Sequence, residues 1–277
     1  MCTATLNGTG GTVQGVVSRD SGQSGSDTVT LAGTGNSTNL IGSNNIVTVT
    51  GTGATANASF TAVTLADGAG ATVVGDGNSV AGGAGDSLTV TGTGNLAMFA
   101  GTGDSVGLTG ASNEAKLAGG AVSVADGSSA VVAGTGNSVT AGAGDSLELW
   151  GDSDSATVTG AGTDVRVSGR GTGVAIDQGS VTFVGMSSGG VTGQSDSIVA
   201  GDGDTVNLTG AVSDSAVETA NGACGVRATP KQVRSMPARR ALTTGKRGSE
   251  IALRNKAWKG RQCVEAGYAS TVLRRAA

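Results

Sequence analysis

The chain has 277 residues with 51 Gly and 2 Pro, and aromatic residues make up 2% of it. Collagen, which needs Gly at every third position and abundant Pro, is excluded, and a core built on bulky aromatics is excluded in favour of a thin one of Val, Leu, Ile and Ala. Charge is segregated: residues 1–222 hold 19 acidic and 4 basic side chains (net −15) and residues 223–277 hold 2 and 13 (net +11), which gives the chain's −4.

Met1 to Gly8 lacks the basic and apolar regions of a secretory signal, so export would use another route, or the chain is a piece of a longer protein. No hydrophobic stretch is long enough to cross a membrane. The three cysteines, Cys2, Cys224 and Cys263, all lie outside the repeats, so disulfides do not hold the array together. A Cys224–Cys263 pair is open to the tail.

Residues 1–29 carry degenerate repeats, and residues 30–218 carry a regular array. Its clearest units are Gly77-Asn78-Ser79-Val80, Gly85-Asp86-Ser87-Leu88, Gly103-Asp104-Ser105-Val106, Gly136-Asn137-Ser138-Val139 and Gly144-Asp145-Ser146-Leu147. Asn or Asp anchors fall at 78, 86, 95, 104 and 113, at 137, 145, 154 and 164, and again at 196, 204 and 214. Each unit has a turn half and a strand half. Gly supplies left-handed backbone at little cost, and Asn and Asp tolerate it too. After the anchor the pattern alternates: Leu88 and Val90 point one way, Ser87 and Thr89 the other. Leu147 and Leu149, then Val206 and Leu208, repeat the pattern. Period two over so few residues predicts a half-buried strand. The fixed phase argues against disorder, although Leu, Ile, Val and Phe together sit near the ~20% at which charged chains stay unfolded.

A short strand and a short turn cannot close a fold alone, but stacked units bury their apolar rows against one another. The predicted fold is all-β: a parallel β-solenoid with two units, roughly 18 residues, per coil, rising ~4.8 Å per coil to a length on the order of 50 Å. A Gly-rich antiparallel β-sandwich is the second choice. The fixed phase disfavours it.

These units resemble the nonapeptide repeats of RTX proteins, secreted bacterial proteins with calcium-bound parallel β-rolls and the motif G-G-x-G-x-D-x-U-x. Gly82-Gly83-Ala84-Gly85-Asp86-Ser87-Leu88 comes nearest, with a turn one residue shorter. The chain is also similar to the low-complexity repeats of large bacterial surface adhesins and autotransporters. The resemblance implies an extracellular or cell-surface structural or adhesive segment, with cell-surface or matrix components as partners.

From 78 to 113 the anchors run Asn, Asp, Asn, Asp, Asn. Two units per coil therefore put an Asn ladder on one edge and an Asp ladder on the other. Stacked amides bond along the axis. Stacked carboxylates repel by about 1 kcal/mol per pair at ~5 Å in water, and calcium would relieve that. Asp86, Asp104, Asp145 and Asp164 are accordingly the candidate calcium edge. The competing reading is turn residues with solvated charges.

No histidine is present, which removes the usual general base, the Ser-His-Asp triad and the commonest zinc ligand. The reading is a non-enzyme. A β-helical polysaccharide-active scaffold is the alternative, since paired carboxylates could still work as acid and base. Trp150, the one Trp of the array, is expected to cap or cover a coil face, with sugar stacking as the second option. Thr28-Val29-Thr30, Thr48-Val49-Thr50, Thr89-Val90-Thr91 and Thr157-Val158-Thr159 each put two hydroxyls outward, as ice-binding solenoids do, at irregular spacing.

Residues 219–277 form a basic tail without repeats, expected to be poorly structured or partly helical, with Ser249 as an N-cap for a helix through Arg261. Nucleic acid or an anionic surface would bind only through this tail. It could equally fold back on the acidic array or be non-native sequence. Uncapped solenoid ends invite end-to-end self-association.

Overall fold

Alternation turns each unit into a strand with one dry face. In the computed structural model, Leu88 and Val90 of the strand Ser87–Thr91 are buried while Ser87, Thr89 and Thr91 face solvent. Ser146–Trp150 buries Leu147 and Leu149, and Thr205–Leu208 buries Val206 and Leu208. The structure describes residues 3–15, 27–201 and 203–209 and four short later strands, 216–219, 226–228, 252–255 and 264–266. Cys2, Cys224 and Cys263 lie outside the described residues.

Within each compact unit a strand pairs in parallel with the strand two places later in the chain, and this makes the fold a parallel β-solenoid. Partners follow at slightly varying intervals: Ser87 faces Ser105, Ser105 faces Ala121 and Ala121 faces Ser138, so one coil takes 18, 16 or 17 residues. Internal contacts divide the chain into two compact units, Met1–Ser155 and Ala156–Ala277. In the first unit, Ser79–Gly82, Leu96–Phe99 and Asn113–Lys116 are successive members of one sheet. Gly70–Val74, Ser87–Thr91 and Ser105–Thr109 belong to the other. In the second unit, Asp164–Ser168, Ser180–Phe183 and Ser197–Ala200 form one sheet, and Thr172–Ala175, Ser188–Thr192 and Thr205–Leu208 form another.

The core of the first unit is a set of apolar rows running across the strands. One passes Val47, Val63, Val80, Ala97, Ala115, Val132 and Leu149. The other sheet contributes Leu88, Val106, Val122 and Val139. All of these side chains are buried. A core one side chain deep on each sheet explains the scarcity of aromatics. Phe99 and Phe183 enter it only beside glycine: a Cβ on Gly82, the strand partner of Phe99, would lie 2.5 Å from that ring, and one on Gly189 would lie 2.8 Å from the ring of Phe183.

Among the described residues there is no helix. Within the window expected to be helical, Ala252–Asn255 is a strand, in parallel register with Ala216–Thr219. The open ladder of a preceding parallel strand offers a short segment backbone hydrogen bonds that an isolated helical turn must nucleate alone. Trp150 lies on the outer side of its strand, 49% exposed, and its indole N–H donates to Glu148 at 3.1 Å. It covers a sheet face.

Leu147 is wholly buried and flanked in its row by Ala130, so the neighbouring coil cannot close a hole there. Leu147→Ala is expected to cost about 2–5 kcal/mol. The outward Glu148→Ala should cost less than ~0.5 kcal/mol, both read from urea denaturation midpoints.

Candidate functional site

At every corner the chain must turn inward before a strand begins, and at most corners the residue that does so is an Asn or Asp anchor. These side chains are buried: Asn78, Asp86, Asn95, Asp104, Asn113, Asn137, Asp145 and Asp154 are each no more than 2% exposed. The anchor's carbonyl accepts the strand N–H of the next coil, as Asn78 does from Leu96 at 2.8 Å. Its own N–H is met by a side chain instead. The N–H of Asn78 donates to Asn95 Oδ1 at 2.8 Å, and that of Asn95 to Asn113 Oδ1 at 3.0 Å. On the other sheet the N–H of Ala69 donates to Asp86 Oδ1 and the N–H of Asp86 to Asp104 Oδ1, both at 3.0 Å. Ser substitutes at some corners: Ser128 Oγ accepts from Gly110, and Ser187 Oγ from Gly169.

The second side-chain atom separates Asn from Asp. Asn Nδ2 donates to a carbonyl of the preceding coil: Asn78 to Ala58 at 2.8 Å, Asn95 to Gly75 at 2.9 Å and Asn137 to Leu117 at 3.1 Å. Asp Oδ2 instead accepts an amide of its own turn: Asp86 from Gly83 at 2.9 Å, Asp145 from Gly142 at 2.7 Å and Asp204 from Gly201 at 2.6 Å. Asp104 and Asp154 depart from this rule, because their Oδ2 atoms are buried without a partner.

Asp86 and Asp104 are therefore brought together on one corner, but inside it. Asp145 stands at the corner leading to the opposite sheet, before Ser146–Trp150. Asp164 is not an anchor. It is the exposed first residue of its strand and accepts a hydrogen bond from the Ser180 hydroxyl, while the anchor place belongs to the wholly buried Thr163. The lack of an Asn or Asp at 163 shifts the apparent phase by one residue. Among the described residues, no group of three His, Cys, Asp or Glu side chains is placed to hold a metal ion. The Asn edge and Asp edge expected for 78–113 are present. Farther on they exchange: Asn137 opens a strand of the Asp-bearing sheet and Asp145 a strand of the Asn-bearing one.

A second set of carboxylates was not singled out in the sequence. Asp67, Asp76 and Asp126 lie on the exposed outer turns, and each Oδ1 accepts an N–H 17 residues later: from Ala84 at 3.2 Å, Thr93 at 2.7 Å and Ala143 at 3.0 Å. The signal was available as the Asp-Gly pairs 67–68, 76–77 and 126–127, which mark turns.

Burial is the first cause of the carboxyl shifts. It raises Asp86, against the amides of Ala69 and Gly83, with Asp104 and Asp67 adding smaller repulsions. Burial likewise raises Asp154, against the Asn137 amide and side chain. It pushes Asp196 from the ordinary 3.8 up to about 6, against the Gly179 amide and with Asp177 adding to the rise.

No protein-family model, curated protein or solved structure matches the chain. Among the described residues no helix is long and apolar enough to cross a membrane.

Asn95 joins three partners, so Asn95→Ala should cost about 2–3 kcal/mol or more. Asn95→Asp should cost stability at neutral pH and regain it on acidification, because its Oδ2 would meet the Gly75 carbonyl with no proton to donate. Calorimetric melts across pH check both. Asp196 binds its proton more tightly folded than unfolded, so its penalty is absent below about pH 4, grows to about pH 6 and is full above. Asp196→Asn should therefore raise the melting temperature at neutral pH and leave it nearly unchanged at acid pH.

Proposed function

We propose that this chain is a structural and adhesive repeat segment of a bacterial extracellular or cell-surface protein, acting as a stiff, acidic, non-catalytic spacer. The observation that carries the reading is the corner ladder. Within each unit, successive coils are tied by backbone bonds along both sheets and, at many corners, by buried side-chain bonds of the anchors, as at Asn36, Asn95, Asn113 and Asp154 in the first unit and Asp204 in the second. A pull along the axis would be shared by many parallel hydrogen bonds, and burial protects the anchor bonds from competition with water.

The inward polar groups favour this reading over a polysaccharide-active scaffold, since they are engaged with backbone amides instead of being arranged as an acid–base pair. The depression lined by Val158, Ile176, Asp177, Thr192 and Gln194, about 300 Å³, has one carboxylate on its wall. Asp177 Oδ1 already accepts the Gln194 N–H at 2.8 Å.

Anchors whose two carboxylate oxygens are met by amides, as at Asp86, need no cation to fold. Circular dichroism of the purified chain in EDTA should show a β spectrum and a cooperative melt, with the same midpoint in millimolar calcium. Beads coated with the folded chain should be retained on bacterial cell-surface or matrix preparations. A coil spectrum that becomes β only with calcium would replace the self-sufficient spacer with a calcium-gated one, and a folded chain with no retention would remove the adhesive role.

A further inference from the structure

The outer sides of the two sheets of the first unit diverge only in the later strands: up to Leu96–Phe99 neither sheet has a charged strand residue, and the sheet containing that strand aligns Thr5, Thr30, Thr48 and Thr64 before its charged residues begin. Strands of the sheet containing Leu96–Phe99 carry Glu114, Lys116, Glu148 and Trp150. In the other sheet no described strand, from Ser37–Leu40 to Ser138–Ala141, contains an acidic or basic residue. This neutrality occurs within a stretch whose net charge is −15.

Register then aligns hydroxyls that look scattered in the sequence. Ser37, Thr55, Thr72 and Thr89 are successive partners across this sheet. After Gly107 the row resumes with Ser123 and Thr140. Thr91 and Thr109 are partners in a neighbouring row whose earlier positions are Asn39, Asn57 and the exposed Val74, and Ser87 and Ser105 flank the first row on the other side. The Thr-x-Thr steps alone do not reveal the row, because a single Thr or Ser in each coil suffices to continue it. Its repeat is ~4.8 Å across strands and about 6.7 Å along them. Thr side chains have restricted χ1, and the strands beneath are fixed by pairing on both sides, so the hydroxyls are held in a set pattern before any ligand arrives.

We propose that this outer sheet face binds ice. Charge complementarity selects the partner: a neutral face on an acidic chain suits a neutral lattice, whereas ionised side chains would keep hydration shells that a water lattice cannot accept. Many hydroxyl contacts to ordered water, each nearly as good as a direct hydrogen bond, add through the multivalency of one rigid surface. The absence of exposed aromatics on this face sets it apart from a sugar-stacking platform. The inference does not depend on the spacer reading, since a spacer needs no ice contact and an ice binder needs no cell surface.

The test uses the full chain. Single ice crystals grown in its presence should become faceted and stop growing over a measurable interval below the melting point, and the chain should partition into slowly growing ice. Thr72→Lys with Thr89→Lys should abolish faceting while keeping a cooperative melt, and Ser123→Glu should weaken it independently. Ser79→Lys, which places the same charge on the other sheet, should leave faceting intact. Round crystals with the folded parent chain would overturn the proposal. So would equal faceting by the Lys pair, or retention on crystalline cellulose without any effect on ice.

Discussion

One unpartnered amide governs this architecture. Where a parallel coil turns into its next strand, the anchor residue's carbonyl continues the ladder but its N–H has left it. A buried N–H without an acceptor costs about 1–3 kcal/mol, and the geometry recurs at both corners of each coil. An acceptor on a short side chain, reaching back one coil from the same position, is the local remedy. Asn and Asp have the right length, and Ser128 and Ser187 show that a hydroxyl also reaches. Glycine on the outer turns follows from the same need: Gly85 (φ 71°) and Gly77 (φ 65°) precede the anchors Asp86 and Asn78 and aim the backbone inward.

The anchor also limits what the core can be. Two sheets joined by such short corners leave room for one layer of Val, Leu, Ile or Ala from each side. Large residues need a matching vacancy, and the glycines beside Phe99 and Phe183 supply it. Cohesion therefore comes from many modest, similar contributions spread along the axis, with no single dominant cluster. A defect is felt mainly by its adjacent coils.

Much of this was legible in the residues. Alternation after Asp86, Asp145 and Asp204 gave the correct buried sets, and the recurrence of Asn and Asp marked most corners. Whether those polar side chains faced water or the interior was not legible, because a turn carboxylate and a buried cap occupy the same place in a pattern. Asp164 shows how phase fails: with Thr163 as the inward residue, the nearest acid in the sequence is the wrong one. Alignment of Ser and Thr across coils was hidden too, since coils of 16, 17 and 18 residues put register partners at unequal distances. Ala252–Asn255 reads as part of a helix until the edge it joins is known.

The coil also has a consequence for how such a gene changes length. The N–H of Ser105 donates to the carbonyl of Asp86 at 2.8 Å, so the two ends of segment 87–104 are already neighbours. Removing that segment would join Asp86 to Ser105 and reproduce the Asp-Ser-Val start of a strand with the same inward anchor. Duplicating it would join Asp104 to Ser87 and keep the anchor, but would set a second Phe99 against the first where Gly82 now stands. Recombination between repeats can thus add or remove whole coils wherever the core residues of the new neighbours fit, and the number of coils becomes a heritable variable limited by that fit and not by the backbone.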